Sequence, residues 1–115
     1  MIIELLTSKY PGMRIWLSQR ITAVVMAVYS VLLIVALLIV SPDSYAAWSD
    51  FASSLLFRIS TFLFFICLSV HAWIGVRDVL RDYIFNQTLR TYLQVMVDLL
   101  LVIYEVWLSI ILWGL

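Results

Sequence analysis

The sequence predicts an all-α membrane protein with three transmembrane helices. Of its 115 residues, 65% are hydrophobic and only 12% are charged, a composition far from that of soluble domains. Three long apolar stretches, at residues 21–40, 59–76 and 92–115, account for most of the chain. Since backbone polar groups cannot stay unpaired in lipid, we expect each stretch to be a helix.

The first element is a short amphipathic lead-in over residues 1–20, in which Pro11 and Gly12 signal a turn. The first apolar stretch then supplies twenty uncharged residues, about the length that a membrane-spanning helix needs. It is too long for the apolar region of a secretory signal, and further spans follow, so we interpret it as a retained helix. Pro42 ends it.

The second and third stretches contain the few ionisable groups of the apolar segments. His71 and Cys67 lie in the second, and Asp98 and Glu105 interrupt the third. The lone cysteine excludes an internal disulfide, and we expect it to pack as a small apolar side chain. The sequence predicts spans at about residues 17–40, 55–80 and 91–114. Because the loops are too short for a separate catalytic domain, we predict a single membrane-anchor domain over residues 1–115.

The basic residues predict the orientation of the chain. The connection at residues 41–50 contains two aspartates and no Lys or Arg, and Arg58 can snorkel to that interface. The positive-inside rule then predicts a cytoplasmic N-terminus and a periplasmic C-terminus for a multi-pass protein of a bacterial inner membrane. Zero net charge gives no reason to expect a nucleic-acid partner. The other six basic residues lie on the opposite side from that connection: Lys9, Arg14, Arg20, Arg77, Arg81 and Arg90.

His71 is the only histidine and lies about 15 Å deeper than Arg81, close to the middle of the membrane. Ionisable residues at that depth usually have a function, and histidine is the commonest metal ligand. Three interpretations remain open: an axial haem ligand paired with one from another subunit, a proton relay in a transporter, or a hydrogen-bonded structural histidine. Gly75, one turn later, either permits close helix packing or leaves room for a macrocycle.

The segment His71-Ala72-Trp73-Ile74-Gly75, followed by Asp82-Tyr83, resembles the second of the two hydrophobic membrane anchors of succinate dehydrogenase, respiratory complex II, which is a haem b-containing cytochrome-type anchor. The opening Arg20-Ile21-Thr22-Ala23 of the first helix is similar too. The resemblance spans nearly the whole chain, and its most specific feature is a histidine followed twelve residues later by a tyrosine.

This resemblance implies half of a heterodimeric, haem-binding anchor bundle. His71 would be one axial ligand of the haem b iron, and the companion anchor would supply the other. Tyr83 would donate a hydrogen bond to a ubiquinone carbonyl, with Asp82 beside that site; the alternative for Tyr83 is an aromatic-belt residue. Arg20 resembles an arginine that meets the haem propionates, and its alternative is a positive-inside charge.

The resemblance also implies the protein's place in an assembly. The chain would be a non-catalytic membrane subunit of succinate:ubiquinone oxidoreductase, in the respiratory chain and the tricarboxylic acid cycle. Its partners would be membrane lipid, a C-type cytochrome b anchor, an iron–sulfur subunit and the flavoprotein that oxidises succinate. One alternative is a fumarate reductase anchor, which runs the same couple in reverse and can lack haem. The other is a non-redox structural or transport protein with three helices.

Two further groups of charged residues have no role implied by the family. Asp98 and Glu105 lie seven residues apart on one face of the third helix. They can form a proton path or meet a basic residue of the partner anchor, but a structural polar contact is the preferred interpretation. We interpret Arg77, Asp78 and Arg81 as a collar that is either solvated or docked against another protein of the complex.

Overall fold

The structure, a computed structural model, describes residues 2–114, which are helical throughout apart from short connections. Three of the helices are long and apolar enough to cross a membrane, which confirms the predicted all-α class with three spans. Because these helices are consecutive and joined by short connections, neighbouring ones run antiparallel. In chain order the helices are α1 (Ile2–Lys9), α2 (Met13–Val40), α3 (Tyr45–Ala52), α4 (Leu55–Tyr83) and α5 (Gln87–Trp113).

The long helices differ from their predicted bounds by a few residues, for local reasons. α2 begins at Met13, four residues earlier than predicted, because Gly12 adopts a φ of 86° that lets the helix follow the turn directly. α4 continues three residues past position 80. α5 begins four residues early because Asn86 caps it: the backbone N–H of Leu89 donates to Asn86 Oδ1 at 3.2 Å.

Helix α4 is the central element, since it packs against α2 on one side and α5 on another. α1 contacts α2, and α3 contacts α4. In the α2–α4 interface, the rings of Tyr29 and Phe64 stack with their centroids 4.6 Å apart, and the Tyr29 and Thr61 hydroxyls share a hydrogen bond. These contacts align α2 on α4, which is the arrangement that positions His71.

Few side chains are buried within the part of the chain that the structure describes. The buried hydrophobic residues there are Ala52, Ile74 and Leu112, whereas most large apolar side chains of the three spans are exposed. A soluble domain could not leave such a surface in water. These exposed faces suit contact with lipid or with other membrane helices.

Candidate functional site

The His71 side chain lies against the first span. Its Nδ1 atom is 3.1 Å from the Oγ1 atom of Thr22 on α2, which gives these two spans a second polar contact beside the Tyr29–Thr61 pair. Thr22 is one of the two buried polar residues in the described part of the chain, with 7% of its surface exposed. The contact therefore holds the imidazole ring in one position relative to α2.

The hydrogen bonds of Thr22 favour one tautomer of His71. Thr22 Oγ1 lies 2.7 Å from the carbonyl oxygen of Ser18 and 3.1 Å from that of Gln19. Carbonyl oxygens only accept, so a threonine proton directed to them leaves the Thr22 oxygen to accept from His71 Nδ1–H. In that tautomer Nε2 keeps its lone pair, and within residues 2–114 it has no hydrogen-bond partner. An imidazole in this state is ready to bind a metal ion.

A lateral cavity of about 420 Å³ opens beside this contact, between α2 and α4. It brings together two of the predicted site residues, His71 and Arg20, although they lie far apart in sequence. Its lining consists of Gly12, Ile15, Trp16, Gln19, Arg20, Ala23, His71, Ile74 and Asp78.

Arg20 supplies a positive charge to this cavity. Its guanidinium lies over the Trp16 ring, 5.5 Å from the ring centroid, and forms no ion pair with the described residues. A guanidinium held by an aromatic face keeps its planar array of donors free for a carboxylate. Arg20 is therefore available for an anionic group in the His71 cavity.

Gly75 packs against α2 rather than lining that cavity. A Cβ atom built on Gly75 would lie 3.8 Å from Gln19 Nε2, an ordinary van der Waals contact. Of the two interpretations of this glycine, the structure therefore favours helix packing over clearance for a macrocycle. The other amide atom of Gln19, Oε1, is buried without a hydrogen-bond partner, which leaves an unsatisfied polar atom beside the cavity.

Asp82 and Tyr83 lie apart from His71, at the C-terminal end of α4. Tyr83 is twelve residues beyond His71, about 18 Å along the helix axis. It is 75% exposed, and its hydroxyl makes no hydrogen bond to the described residues. Asp82 is exposed as well and forms no ion pair there. The structure therefore separates the four predicted site residues into a lateral group and a terminal group.

Asp98 and Glu105 make different contacts although they share a helix face. Asp98 Oδ1 accepts a hydrogen bond from Gln94 Nε2 at 3.0 Å, within α5. Glu105 Oε2 accepts one from Ser69 Oγ of α4 at 3.1 Å. Both are structural polar contacts of the kind preferred for these residues, and only the second joins two spans.

Sequence reasoning missed the role of Thr22. Thr22 was noted only as part of the segment Arg20-Ile21-Thr22-Ala23, which resembles the anchor family. A polar residue at the start of an apolar span could have indicated its role. No group of three or more His, Cys, Asp or Glu side chains in residues 2–114 could hold a metal ion. His71 can therefore offer one ligand, and a six-coordinate metal would need others from elsewhere.

These observations define a membrane protein with three spanning helices and one intramembrane histidine at a lateral cavity. Residues 4–111 match the family described as the succinate dehydrogenase/fumarate reductase transmembrane subunit. The chain is 41% identical over 102 residues to the succinate dehydrogenase hydrophobic membrane anchor subunit of Coxiella burnetii, covering 89% of each chain. It belongs to the family of succinate dehydrogenase membrane anchors, which confirms the resemblance seen in the sequence.

Proposed function

We propose that this chain is the membrane anchor subunit of a succinate:ubiquinone oxidoreductase, in which it supplies one axial ligand to haem b and part of the ubiquinone-reduction site. The observation that carries the proposal is that His71 lines one cavity with Arg20, with Nδ1 in contact with Thr22 and Nε2 without a partner among the described residues. Membership of the anchor family favours this function over a non-redox structural or transport protein.

Two features of the cavity fit a haem. Nε2 of His71 would hold the iron, and the unpaired Arg20 guanidinium would hold a propionate. Gln19, which also lines the cavity, has a buried Oε1 atom that can accept a hydrogen bond from a donor outside this chain. When bound, haem b supplies reversible uptake and release of one electron. Thr22 would fix the ring orientation and, by accepting from Nδ1–H, make Nε2 a stronger donor to the metal.

The cavity is open on one side, so a second chain must complete it. We propose that the companion anchor, the C-type cytochrome b subunit, covers this side and supplies the second axial ligand. Support comes from the single imidazole of this chain and from the exposed apolar faces of α2 and α4, which suit contact with another membrane helix.

The quinone part of the proposal rests on the end of α4. The exposed Tyr83 phenol can donate a hydrogen bond to a carbonyl oxygen of ubiquinone. Quinone reduction takes up two electrons and two protons, and such a donor stabilises the negative charge that develops on that oxygen. Asp82, next in the chain, would orient Tyr83 or a neighbouring basic group.

The remaining subunits would bind at the same end of the bundle. We propose that the iron–sulfur subunit and the flavoprotein, where succinate is oxidised, lie on the cytoplasmic side of a bacterial inner membrane. The excess of basic residues at the end of the bundle that carries Tyr83 supports this orientation, with the N-terminus inside and the C-terminus in the periplasm. A single anchor domain over residues 1–115 remains our prediction.

The haem ligand is tested by His71→Ala in the complex purified in mild detergent. The wild-type complex is expected to show a b-type reduced-minus-oxidised absorption spectrum, and the variant is expected to lose it because no other imidazole of this chain can replace the ligand. Cys67→Ala is the control, since Cys67 lies one turn earlier on the same face and should leave the spectrum unchanged. A full b-type spectrum in an assembled His71→Ala complex contradicts the assignment.

The quinone site is tested by Tyr83→Phe. We expect succinate-dependent ubiquinone reduction to fall about tenfold or more, because a hydrogen bond to a charged oxygen contributes about 1.5–3 kcal/mol. Succinate oxidation with an artificial electron acceptor should be preserved. Tyr92→Phe is the matched control, since Tyr92 is 70% exposed and lies near the same end. Equal loss of both activities in Tyr83→Phe would argue against a quinone role.

A further inference from the structure

A groove between α4 and α5 collects three arginines at the basic end of the bundle. We call it the arginine groove; its volume is about 340 Å³. It shares no lining residue with the His71 cavity, which lies between α4 and α2. Its lining consists of Trp73, Arg77, Arg81, Arg90, Thr91, Gln94, Val95 and Asp98.

Helical spacing explains why the arginines converge. Trp73, Arg77 and Arg81 follow one another at four-residue intervals on α4 and therefore form one stripe. Arg90 begins a second stripe with the same spacing on α5, which runs antiparallel to α4. The two stripes face one another across the groove. Asp78, the third residue of the predicted collar, faces another side of α4 and lines the His71 cavity.

The charges of the arginine groove are not balanced within this chain. Arg77, Arg81 and Arg90 form no ion pair with any described residue. Asp98 is the one acidic residue in the lining, and its Oδ1 atom already accepts a hydrogen bond from Gln94. Three positive charges against one negative charge repel each other in a partly apolar groove unless an anion joins them. An anionic ligand in the groove would balance these charges.

The position of the groove favours a lipid as the source of that anion. Trp73 lies about 12 Å deeper along α4 than Arg81, toward the middle of the span. The groove thus passes from guanidinium groups at the membrane surface to Trp73 and Val95 in the apolar region. A phospholipid has its polar and apolar groups in the same order with depth, with a phosphate at the membrane surface and acyl chains below it. A protein docked on the end of the bundle would not need the deeper part.

We propose that the arginine groove binds the phosphate of an anionic phospholipid, whose oxygens accept from Arg77, Arg81 and Arg90 while an acyl chain packs on Trp73 and Val95. The planar donors of arginine match phosphate oxygens, and basic pockets between membrane helices bind anionic headgroups. The ligand is expected to stabilise the α4–α5 pair, since it bridges arginines on both helices.

The test measures lipid retained by the purified complex after delipidation and exchange into micelles that contain either phosphatidylglycerol or phosphatidylcholine. Phosphorus assay and native mass spectrometry count the bound lipid. We expect wild-type complex to retain phosphatidylglycerol in preference, and the triple variant R77Q/R81Q/R90Q to bind it about tenfold or more weakly. The control K9Q/R14Q removes two charges from the same end outside the groove and should retain lipid normally.

Four outcomes would overturn the proposal. Equal retention of phosphatidylcholine by the wild-type complex would do so without any variant, which covers a triple variant that fails to assemble. Equal loss of lipid in K9Q/R14Q would show a general surface-charge effect. Displacement of the lipid by millimolar inorganic phosphate alone would show a free-ion site. Unchanged lipid retention in the triple variant, with loss of the iron–sulfur and flavoprotein subunits, would show a protein-docking surface.

Discussion

Two polar contacts of helix α4, Thr22–His71 toward α2 and Ser69–Glu105 toward α5, use their atoms differently. Toward α2, the favoured tautomer of His71 lets the Thr22 hydroxyl donate to the backbone and accept from His71 Nδ1, so both of its roles are filled. Toward α5, Ser69 donates to Glu105 Oε2, while the buried Oε1 atom has no partner among the described residues. His71 and Ser69 are two residues apart and therefore point to different sides of α4.

The Thr22–His71 contact orients a side chain that lines a cavity, whereas the Ser69–Glu105 contact only joins two helices. At the α2–α4 contact, His71 lines a cavity and its Nε2 atom has no hydrogen-bond partner among the described residues. At the α4–α5 contact the unsatisfied oxygen lies inside the helix pair, where a missing partner is costly. His71 therefore lines a cavity with one nitrogen unpaired, whereas the unpaired oxygen of Glu105 is buried between two helices.

The largest effect is expected when the Thr22–His71 contact is broken. Thr22→Val keeps the shape of the side chain but removes the acceptor for His71 Nδ1–H, so we expect haem affinity to fall about tenfold or more. Haem content per assembled complex and the midpoint potential measure this. Thr61→Val is the matched control, because Thr61 is the other threonine that is buried among the described residues and bonds to Tyr29 instead. Equal haem loss in both variants would contradict a positioning role for Thr22.

A smaller effect is expected when the α4–α5 contact is broken. Ser69→Ala leaves both Glu105 oxygens without a donor among the described residues, and should destabilise the complex by about 1 kcal/mol. The midpoint temperature of disassembly in detergent measures the change, and the haem spectrum should be unaffected.

The double variant Ser69→Ala/Glu105→Leu tests whether the Ser69–Glu105 contact does more than join α4 to α5. Replacing both polar partners by apolar groups is expected to recover most of the lost stability, since no buried polar atom is then left unpaired. A double variant less stable than Ser69→Ala would show that Glu105 has a further partner outside this chain, and that the contact does more than join α4 to α5.

The smallest effect is expected at Gly75. Gly75→Ala adds a Cβ at 3.8 Å from Gln19 Nε2, so stability should change by no more than about 0.5 kcal/mol and the haem content should stay the same. Thermal disassembly and the absorption spectrum check both. Loss of haem in this variant would show that Gly75 lines the cofactor site.

The sequence predicted the spans well because membrane insertion depends on local composition. Twenty uncharged residues must be helical in lipid whatever their neighbours are, so α2 was predictable without any tertiary contact. The ends were less predictable, because they depend on single caps. The left-handed Gly12 and the Asn86 cap each start a helix four residues before the hydrophobicity alone indicated.

The candidate site was predictable as a set of residues but not as an arrangement. His71 is conspicuous in sequence because an ionisable group in hydrocarbon is costly. Its association with Arg20 in one cavity depends on how α2 lies against α4, which no local pattern encodes. The same limit applies to Arg77 and Asp78, which are adjacent in sequence but line different grooves.

The sequence by itself determined the three apolar helices, the excess of basic residues at one end and the depth of the only histidine, because each follows from the transfer of side chains between water and lipid. The tertiary structure alone decided which atom of that histidine is free. Packing of α2 on α4 brings a threonine, already donating to its own helix, against His71 Nδ1. A hydrogen bond between residues 49 positions apart, rather than local composition, sets the state of the ring.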